Sequence, residues 1–199
     1  MTMIKGLISA LALSTILLSI IQPASAWAAP NHYAIVEEVY YSLPNDAQGK
    51  LNLSKMLDGA DDPDYKFFDF QYHHYPDGQE KANQWLESGH NYYINGDYKQ
   101  ASYCFGVATH YLSDSVCPPH SGGGHPGFEH TNCEVQNMFL KPHITANNLG
   151  GNVSLAECNQ ISESAWENWI KTGDNKYIQH CLDLSADIAY LEVKRALST

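Results

Sequence analysis

The sequence predicts an all-α protein folded as a compact bundle of helices. Apolar residues recur every three or four positions along most of the chain, the repeat expected of one buried helix face. The sequence has no extended run of alternating apolar and polar residues, the pattern typical of a half-buried strand. A chain of 199 residues can bury a substantial core as one domain, so we expect a single helical unit.

The first 26 residues have the three parts of a secretory signal peptide. A lysine lies near the start, an almost unbroken apolar run occupies 6–21, and the small residues Ala24 and Ala26 form a cleavage site. We therefore expect cleavage after Ala26, export of the protein to the periplasm or the medium, and a mature domain over 27–199. Ala28 completes a second small-residue pattern and is the alternative cleavage position.

The first part of the mature chain contains two predicted helices and a loop. Apolar residues at helical spacing predict helices over 32–43 and 51–57, and Pro44 ends the first of them. Residues 61–78 break this pattern with two prolines, several aspartates and many aromatic side chains. We interpret this stretch as an irregular loop that carries functional residues.

Helical patterns return after this loop. They predict five more helices, over 79–94, 98–116, 127–139, 162–171 and 175–197. Pro118 and Pro119 end the second of these, and a glycine-rich loop follows over 121–126. A stretch rich in serine, asparagine and glycine over 145–154 precedes the last two helices.

The composition is acidic and unusually rich in histidine. Eleven Lys and Arg stand against 22 Asp and Glu, which gives a formal net charge of −11, and no basic run is present. This balance argues against a surface whose main purpose is to bind the nucleic-acid backbone. Ten histidines in a chain with only 17% charged residues require a chemical explanation, and binding of a divalent metal would supply one.

Two histidine–carboxylate pairs have the spacing of metal ligands on a helix. His110 and Asp114 lie one helical turn apart, and His130 and Glu134 repeat the arrangement on the next predicted helix. His120 lies between the pairs, just after the double proline. A single pair of this kind is usually a solvated surface interaction, but two pairs on successive helices indicate a metal site.

The five cysteines suggest disulfides in an exported protein. Cys117 with Cys133 and Cys158 with Cys181 are plausible pairs, which would leave Cys104 as a free thiol. The connectivity does not follow from the sequence. Cys117 or Cys133 could instead ligate a metal, since both lie close to the histidines in sequence.

Several of these residues belong to motifs that resemble the bacterial zinc-dependent phospholipases C. The motifs are Asn-Gly-Asp-Tyr-Lys-Gln-Ala over 95–101, His-Tyr-Leu-Ser-Asp over 110–114, Pro119 with His120, and Phe-Glu-His over 128–130 with Glu134. The resemblance extends from about Trp27 to Glu134. It implies the all-α fold that these enzymes share with the fungal zinc-dependent single-strand nucleases.

The resemblance also implies a cluster of three zinc ions. Its ligands would be the following residues: Trp27, through its α-amino group after cleavage, His32, Asp64, His74, His110, Asp114, His120, His130 and Glu134. Asp61 is the alternative to Asp64, and His73 is the alternative to His74. Asp64 would also act in catalysis, and Tyr65 and Phe70 would contact the substrate.

The function implied is phospholipase C activity, which releases diacylglycerol and a phosphorylated head group from a glycerophospholipid. Such an enzyme would touch the membrane surface only transiently, and we expect a monomer. The short interval between Trp27 and His32 is instead similar to that of the nucleases, so hydrolysis of single-stranded nucleic acid or of nucleotides is the alternative. A secreted zinc-binding protein without turnover is the third hypothesis.

Overall fold

The structure, a computed structural model, describes residues 26–145 and 154–198. Within these ranges the chain forms helices and no strand, which confirms the predicted all-α class. The predicted signal peptide lies outside the described residues except for Ala26. The α-helices are α1 (Ala29–Ser42), α2 (Asn45–Gln48), α3 (Leu53–Asp62), α4 (Asp77–Ile94), α5 (Tyr98–Asp114), α6 (Phe128–Asn137), α7 (Leu155–Thr172) and α8 (Lys176–Ser198).

Two helices are longer than the apolar pattern predicts. Helix α3 continues to Asp62, and α7 begins at Leu155 rather than at 162. The early start of α7 has a local cause, because Ser154 and Glu157 form a capping box in which each side chain bonds the other residue's backbone N–H. The first turns of α7 are mostly polar, so apolar periodicity misses them.

Helix α5 runs through the centre of the bundle. Almost all of its residues after Ala101 are buried, among them Phe105, Ala108 and Leu112. It packs against α3, α4 and α8. Since α5 is enclosed on all sides, the polar residues near its C-terminal end, His110 and Asp114, are buried together with its apolar ones.

Two glycines allow α3 and α5 to cross with their backbones in contact. A Cβ atom at Gly59 of α3 or at Gly106 of α5 would overlap the backbone of the other helix. Only glycine fits at such a crossing. The close approach brings the carbonyl oxygen of Ala60 to 2.7 Å from Nδ1 of His110, so the packing of the two helices orients a candidate ligand.

Short irregular helices connect these elements, as predicted for the loop over 61–78. After α3 the chain makes a π-helical turn over Pro63–Phe67, enters the left-handed region at Phe68 with φ of 52°, and makes a 3-10 turn over Phe70–Tyr72. After α5 a second 3-10 segment covers Pro118–Gly123. Both irregular segments carry candidate ligands, and π-helical turns are often found at functional sites.

All five cysteines are buried, and each is a free thiol in the structure. The predicted pairs, Cys117 with Cys133 and Cys158 with Cys181, are therefore not bonded to each other. Cys117 instead donates through Sγ to the carbonyl oxygen of Ala26, 2.9 Å away. As for membrane insertion, no helix in the described ranges combines the length and apolar character that a transmembrane span requires.

Candidate metal centre

The carboxylate of Asp114, at the end of α5, is fully buried and faces three imidazole rings. Nε2 of His32 lies 3.3 Å from Oδ1. Nδ1 of His73 and Nε2 of His110 lie 2.8 and 3.1 Å from Oδ2. Asp114 is thus the point at which the candidate ligands of three separate segments meet.

Different local structures bring these rings to Asp114. His110 lies one turn earlier on α5, which is the spacing that the sequence indicates. His32 comes from the first half of α1, and its Nδ1 lies 3.3 Å from Oγ of Ser113. His73 follows directly after the 3-10 turn over Phe70–Tyr72. Contacts on the far side of the His32 and His110 rings fix their orientation, as is usual for metal-binding histidines.

Asp64 extends this cluster from the π-helical turn. Its Oδ1 lies 3.6 Å from Nδ1 of His73 and 3.9 Å from Nε2 of His110, and the residue is largely buried. Asp61, the alternative to Asp64, is hydrogen-bonded to the hydroxyl of Tyr33 instead. The ligand atoms of Asp64, His73 and His110 all lie within 4.8 Å of one another, so one ion could contact all three.

Of the two consecutive loop histidines, the structure brings His73 rather than His74 to Asp114. The ring of His74 lies beside that of His120, with centroids 4.6 Å apart, and its Nδ1 is 3.4 Å from the carbonyl oxygen of His120. Consecutive residues at the end of the 3-10 turn point in different directions. The sequence could not separate them, because both are histidines and both precede the same Tyr-Pro-Asp turn.

A second cluster forms around His120, His130 and Glu134. Nε2 of His130 lies 2.6 Å from Oε1 of Glu134 on the same face of α6, as their spacing predicts. The rings of His120 and His130 are in contact, with centroids 5.0 Å apart. Nδ1 of His120 is 2.8 Å from the carbonyl oxygen of His73, which links this cluster to the first.

Trp27 is buried at the end of α5 that carries Asp114. Its indole Nε1 donates to the carbonyl oxygen of Ser113, 3.1 Å away, and to Oγ of Ser185, 3.2 Å away. Ser113 immediately precedes Asp114 in the chain. The indole contacts therefore hold the Trp27 backbone in the region of the first cluster.

Burial keeps two of the candidate histidines neutral. Loss of solvent, together with the neighbouring His110, lowers the pKa of His32 to about 3. Loss of solvent also lowers the pKa of His120 to about 3, against the opposing effect of Asp114. A neutral imidazole offers a lone pair, which is the form that binds a metal ion.

The charge of the first cluster is distributed between His110 and two carboxyl groups. Burial alone would lower the pKa of His110, but Asp114 outweighs it and raises the pKa to about 9. Burial opposes ionisation of Asp114 as well, yet His110 and His32 hold its pKa well below the usual range. Burial raises the pKa of Asp64 to about 6. In the metal-free protein, the proton on His110 therefore supplies the positive charge beside Asp114 that a bound metal ion would otherwise supply.

The polar atoms of the first cluster fit a bound metal better than they fit one another. Nε2 of His32, Oδ1 of Asp64 and both carboxylate oxygens of Asp114 are buried and make no well-aligned hydrogen bond, although they lie close together. Buried groups in this condition are costly unless something else pairs with them. Imidazole nitrogens mixed with carboxylate oxygens form a donor set that suits Zn²⁺.

A cavity of about 280 Å³ opens beside the second cluster. Its wall includes Phe70, His74, His120, His125 and His130. The ring of Phe70 lies 5.4 Å from that of His73, whereas Tyr65 projects into solvent with 58% of its surface exposed. Of the two predicted substrate contacts, Phe70 therefore lines the cavity and Tyr65 is an exposed aromatic group beside Asp64.

Sequence reasoning missed the polar groups behind His73. The hydroxyl of Tyr111 donates to both carboxylate oxygens of Asp69, each 2.9 Å away, and Oδ1 of Asp69 lies 3.9 Å from Nε2 of His73. Tyr111 directly follows His110, but its position in the apolar pattern of the predicted helix indicates an ordinary core residue. Asp69 is one of several aspartates in the loop, and nothing in the sequence separates it from the others.

Comparison with protein families gives a match that covers most of the chain. The family described as zinc-dependent phospholipase C matches residues 31–182, which include all of the candidate ligands except Trp27. Neither the curated proteins nor the solved structures gave a match. The family match covers well over half of the 199 residues. The chain belongs to the zinc-dependent phospholipase C family.

Proposed function

We propose that the protein is a secreted zinc metallohydrolase that cleaves the phosphodiester bond of glycerophospholipids. The observation that carries the proposal is the convergence of His32, His73 and His110 on the buried carboxylate of Asp114. Membership of the zinc-dependent phospholipase C family supports both the metal and the reaction class. The products would be diacylglycerol and a phosphorylated head group.

The ligands divide into three groups, one for each of three zinc ions. Asp64, His73, His110 and Asp114 would hold the first. Asp114 would also bind the second ion, together with His32 and the α-amino group of Trp27. The third would be bound by His120, His130 and Glu134. The close approach of Asp64, His73 and His110 supports the first group, and the contacts of His130 with Glu134 and His120 support the third. The buried position of Trp27 beside Ser113 supports the second.

The protein's own groups would position the phosphodiester and remove a proton from the attacking water. Bound zinc supplies neutralisation of the phosphate oxygens and a water of lowered pKa. Asp64 accepts the proton of the attacking water through its carboxylate. Asp64 is placed for this role because its carboxylate is largely buried and lies beside His73 and His110 of the metal centre.

The aromatic groups near the cavity suit a choline-type head group. A quaternary ammonium binds to the faces of aromatic rings by cation–π attraction. Phe70 lines the cavity, and Tyr65 is exposed next to Asp64, so both can meet a head group whose phosphate lies at the metal centre. We expect a monomer that contacts the membrane surface only while it binds a lipid and releases the phosphorylated head group.

The short interval between Trp27 and His32 favours a second candidate, a single-strand nuclease or nucleotidase. The exposed rings of Tyr65 and Phe68 could stack on a nucleobase. Both candidates use the same metal centre and differ only in the group that the nearby aromatic side chains would contact, a lipid head group or a nucleobase. A zinc-binding protein without turnover is the third candidate.

Parallel assays with two substrates separate these candidates. Phosphatidylcholine vesicles and single-stranded DNA are incubated with the protein at the same zinc concentration, and we expect phosphocholine release from the vesicles. Cleavage of the DNA alone would favour the nuclease. An Asp64→Asn variant should lose phosphocholine release, whereas Asp58→Asn, a change in an exposed carboxylate of α3, should not. Equal activity of Asp64→Asn and the unchanged protein would remove Asp64 from catalysis.

Export and disulfide formation are part of the proposal. Removal of 1–26 would give Trp27 a free α-amino group, and oxidation during export would form two disulfides, for which Cys117 with Cys133 and Cys158 with Cys181 are the plausible pairs. N-terminal sequencing of the secreted protein and a thiol count after denaturation test both points. We expect a first residue of Trp27 and one free thiol. A chain that begins at Ala29 would lack the Trp27 ligand.

A further inference from the structure

We propose that Asp69 is a positioning residue for the zinc ligand His73 and that Tyr111 holds Asp69 in place. The inference rests on the proposed function, because Asp69 has this role only where His73 binds zinc. Neither Asp69 nor Tyr111 would touch the metal or the substrate. Both would act through the orientation and the proton of one imidazole ring.

The two nitrogens of His73 face different groups. Nδ1 lies 2.8 Å from Oδ2 of Asp114 and 3.6 Å from Oδ1 of Asp64, so it is the nitrogen directed toward the metal centre. Nε2, on the other side of the ring, is buried and has no hydrogen-bond partner. The carboxylate that it faces is Asp69, whose Oδ1 is 3.9 Å away.

Metal binding fixes the proton of His73 on the side of Asp69. A metal ion takes the lone pair of a neutral imidazole, so binding through Nδ1 requires the ring proton to be on Nε2. A carboxylate close to that N–H favours this tautomer and makes the metal-binding nitrogen a stronger donor. At 3.9 Å Asp69 is beyond hydrogen-bond distance, and it therefore acts on His73 through its negative charge.

Tyr111 keeps that charge in position. Its hydroxyl donates to both carboxylate oxygens of Asp69 at 2.9 Å, and Nζ of Lys81 lies 3.7 Å from Oδ2. The Tyr111 side chain is completely buried near the C-terminal end of α5, so it cannot move far. Its ring also packs edge-on against that of His73, with centroids 5.7 Å apart. Helix α5 thus supplies the ligand His110 and, one residue later, the support for His73.

The chain contains a matched arrangement away from the candidate ligands. On the same helix, Tyr103 donates to Oδ2 of Asp62 at 2.8 Å, and Lys66 forms an ion pair with Asp62. The donor, the acceptor and the nearby lysine are the same residue types as at Tyr111. No ion pair or hydrogen bond links Asp62 to a histidine among the described residues. Removal of the Tyr103 hydroxyl therefore controls for the loss of a partly buried tyrosine–aspartate hydrogen bond.

Metal affinity tests the inference without any measurement of activity. The variants are Tyr111→Phe, Asp69→Asn and the control Tyr103→Phe, and zinc affinity is measured by competition with a chromophoric chelator. The first two should bind one zinc more weakly by up to about 10-fold, the lower end of the cost for losing a hydrogen-bonded partner, because Asp69 acts on His73 through charge alone. Tyr103→Phe should bind zinc as the unchanged protein does. Cobalt-substituted Tyr111→Phe and Asp69→Asn should also show an altered visible spectrum, which reports the geometry around the metal.

The outcomes separate this inference from the proposed function. Unchanged zinc affinity and an unchanged cobalt spectrum in Asp69→Asn and Tyr111→Phe would overturn the role of Asp69 and leave the zinc site intact. Absence of zinc binding by the protein without any substitution would overturn the proposed function instead. If Tyr111→Phe does not fold, Asp69→Asn decides the question, because it keeps the shape of the side chain and removes only its charge.

Discussion

The imidazole rings of His32 and His110 stack with their centroids 4.1 Å apart and their planes inclined by 15°. Both rings also contact the carboxylate of Asp114. Burial lowers the pKa of His32 to about 3, while Asp114 raises the pKa of His110 to about 9 against the effect of burial. In the metal-free protein at neutral pH, one ring of the stack is therefore neutral and the other carries a proton.

Zinc binding should displace that proton. At pH 7 His110 is protonated in the metal-free protein and must become neutral to bind zinc, so protons are released. Because the pKa of His110 is about 9, release should fall by about one proton per chain between about pH 8 and about pH 10. Below neutral pH release should rise again, as Asp64 takes up a proton near its pKa of about 6.

Calorimetric titrations with zinc in two buffers of different ionisation enthalpy measure this number directly. The control is the same titration in the presence of excess chelator, which should give no difference caused by the protein. Release that stays constant from about pH 8 to about pH 10 would contradict a protonated His110 in the metal-free state.

Replacement of Gly106 by alanine should destabilise the fold. The new Cβ would overlap the backbone of Met56, and neither helix can move without disturbing the core. Overpacking of this kind costs roughly 1–3 kcal/mol and can cost more.

Urea denaturation followed by circular dichroism gives the change in the free energy of unfolding. Gly49→Ala is the control, since Gly49 has ordinary helical backbone angles and its Cβ would meet no closer neighbour than a normal contact. Equal stability of the two variants would show that the α3–α5 crossing can widen freely.

The sequence predicted the parts of the site that lie on regular helices. The spacing of His110 with Asp114 and of His130 with Glu134 follows from the helical repeat, and the structure has each pair in contact. The choice between His73 and His74 did not follow from it. A 3-10 turn sets which of two consecutive side chains points inward, and the turn depends on packing against α4.

Of the features that the apolar repeat missed, one is local in the sequence and another depends on a contact between distant segments. The start of α7 could have been predicted from Ser154 and Glu157, because a capping box is visible in a sequence. The support of His73 by Asp69 could not, since it requires the loop after α3 to meet Tyr111 of α5. The apolar pattern of α5 indicated burial but not which of its polar groups would face the metal centre.

Ser162→Ala should destabilise the segment that carries His120. The buried Ser162 hydroxyl of α7 donates to the carbonyl oxygen of Val116 at 2.6 Å, just before the 3-10 segment against which α7 packs. Loss of the donor leaves a buried carbonyl oxygen without its partner, at a cost of about 1–3 kcal/mol. Thermal unfolding of the metal-free protein measures the loss. Ser164→Ala, at an exposed position of the same helix, should change stability by less than about 0.5 kcal/mol. A similar small effect for both variants would mean that water replaces the Ser162 hydroxyl.

Glu134→Gln should bind one zinc ion fewer than the unchanged protein. Glu134 is largely buried, and burial raises its pKa although the hydrogen bond with His130 opposes this. That carboxylate needs a positive partner, and the neighbouring imidazole of His120, whose pKa burial lowers to about 3, does not supply one. The neutral amide keeps the shape of the side chain but removes the anionic ligand, so the third group should lose its ion while the Asp114 cluster keeps its own.

Zinc per chain is counted by elemental analysis after dialysis. Glu129→Gln, a change at an exposed position in the first turn of α6, should leave the count unaltered. An undiminished zinc content in Glu134→Gln would show that His120, His130 and Glu134 form a hydrogen-bonded cluster rather than a metal site.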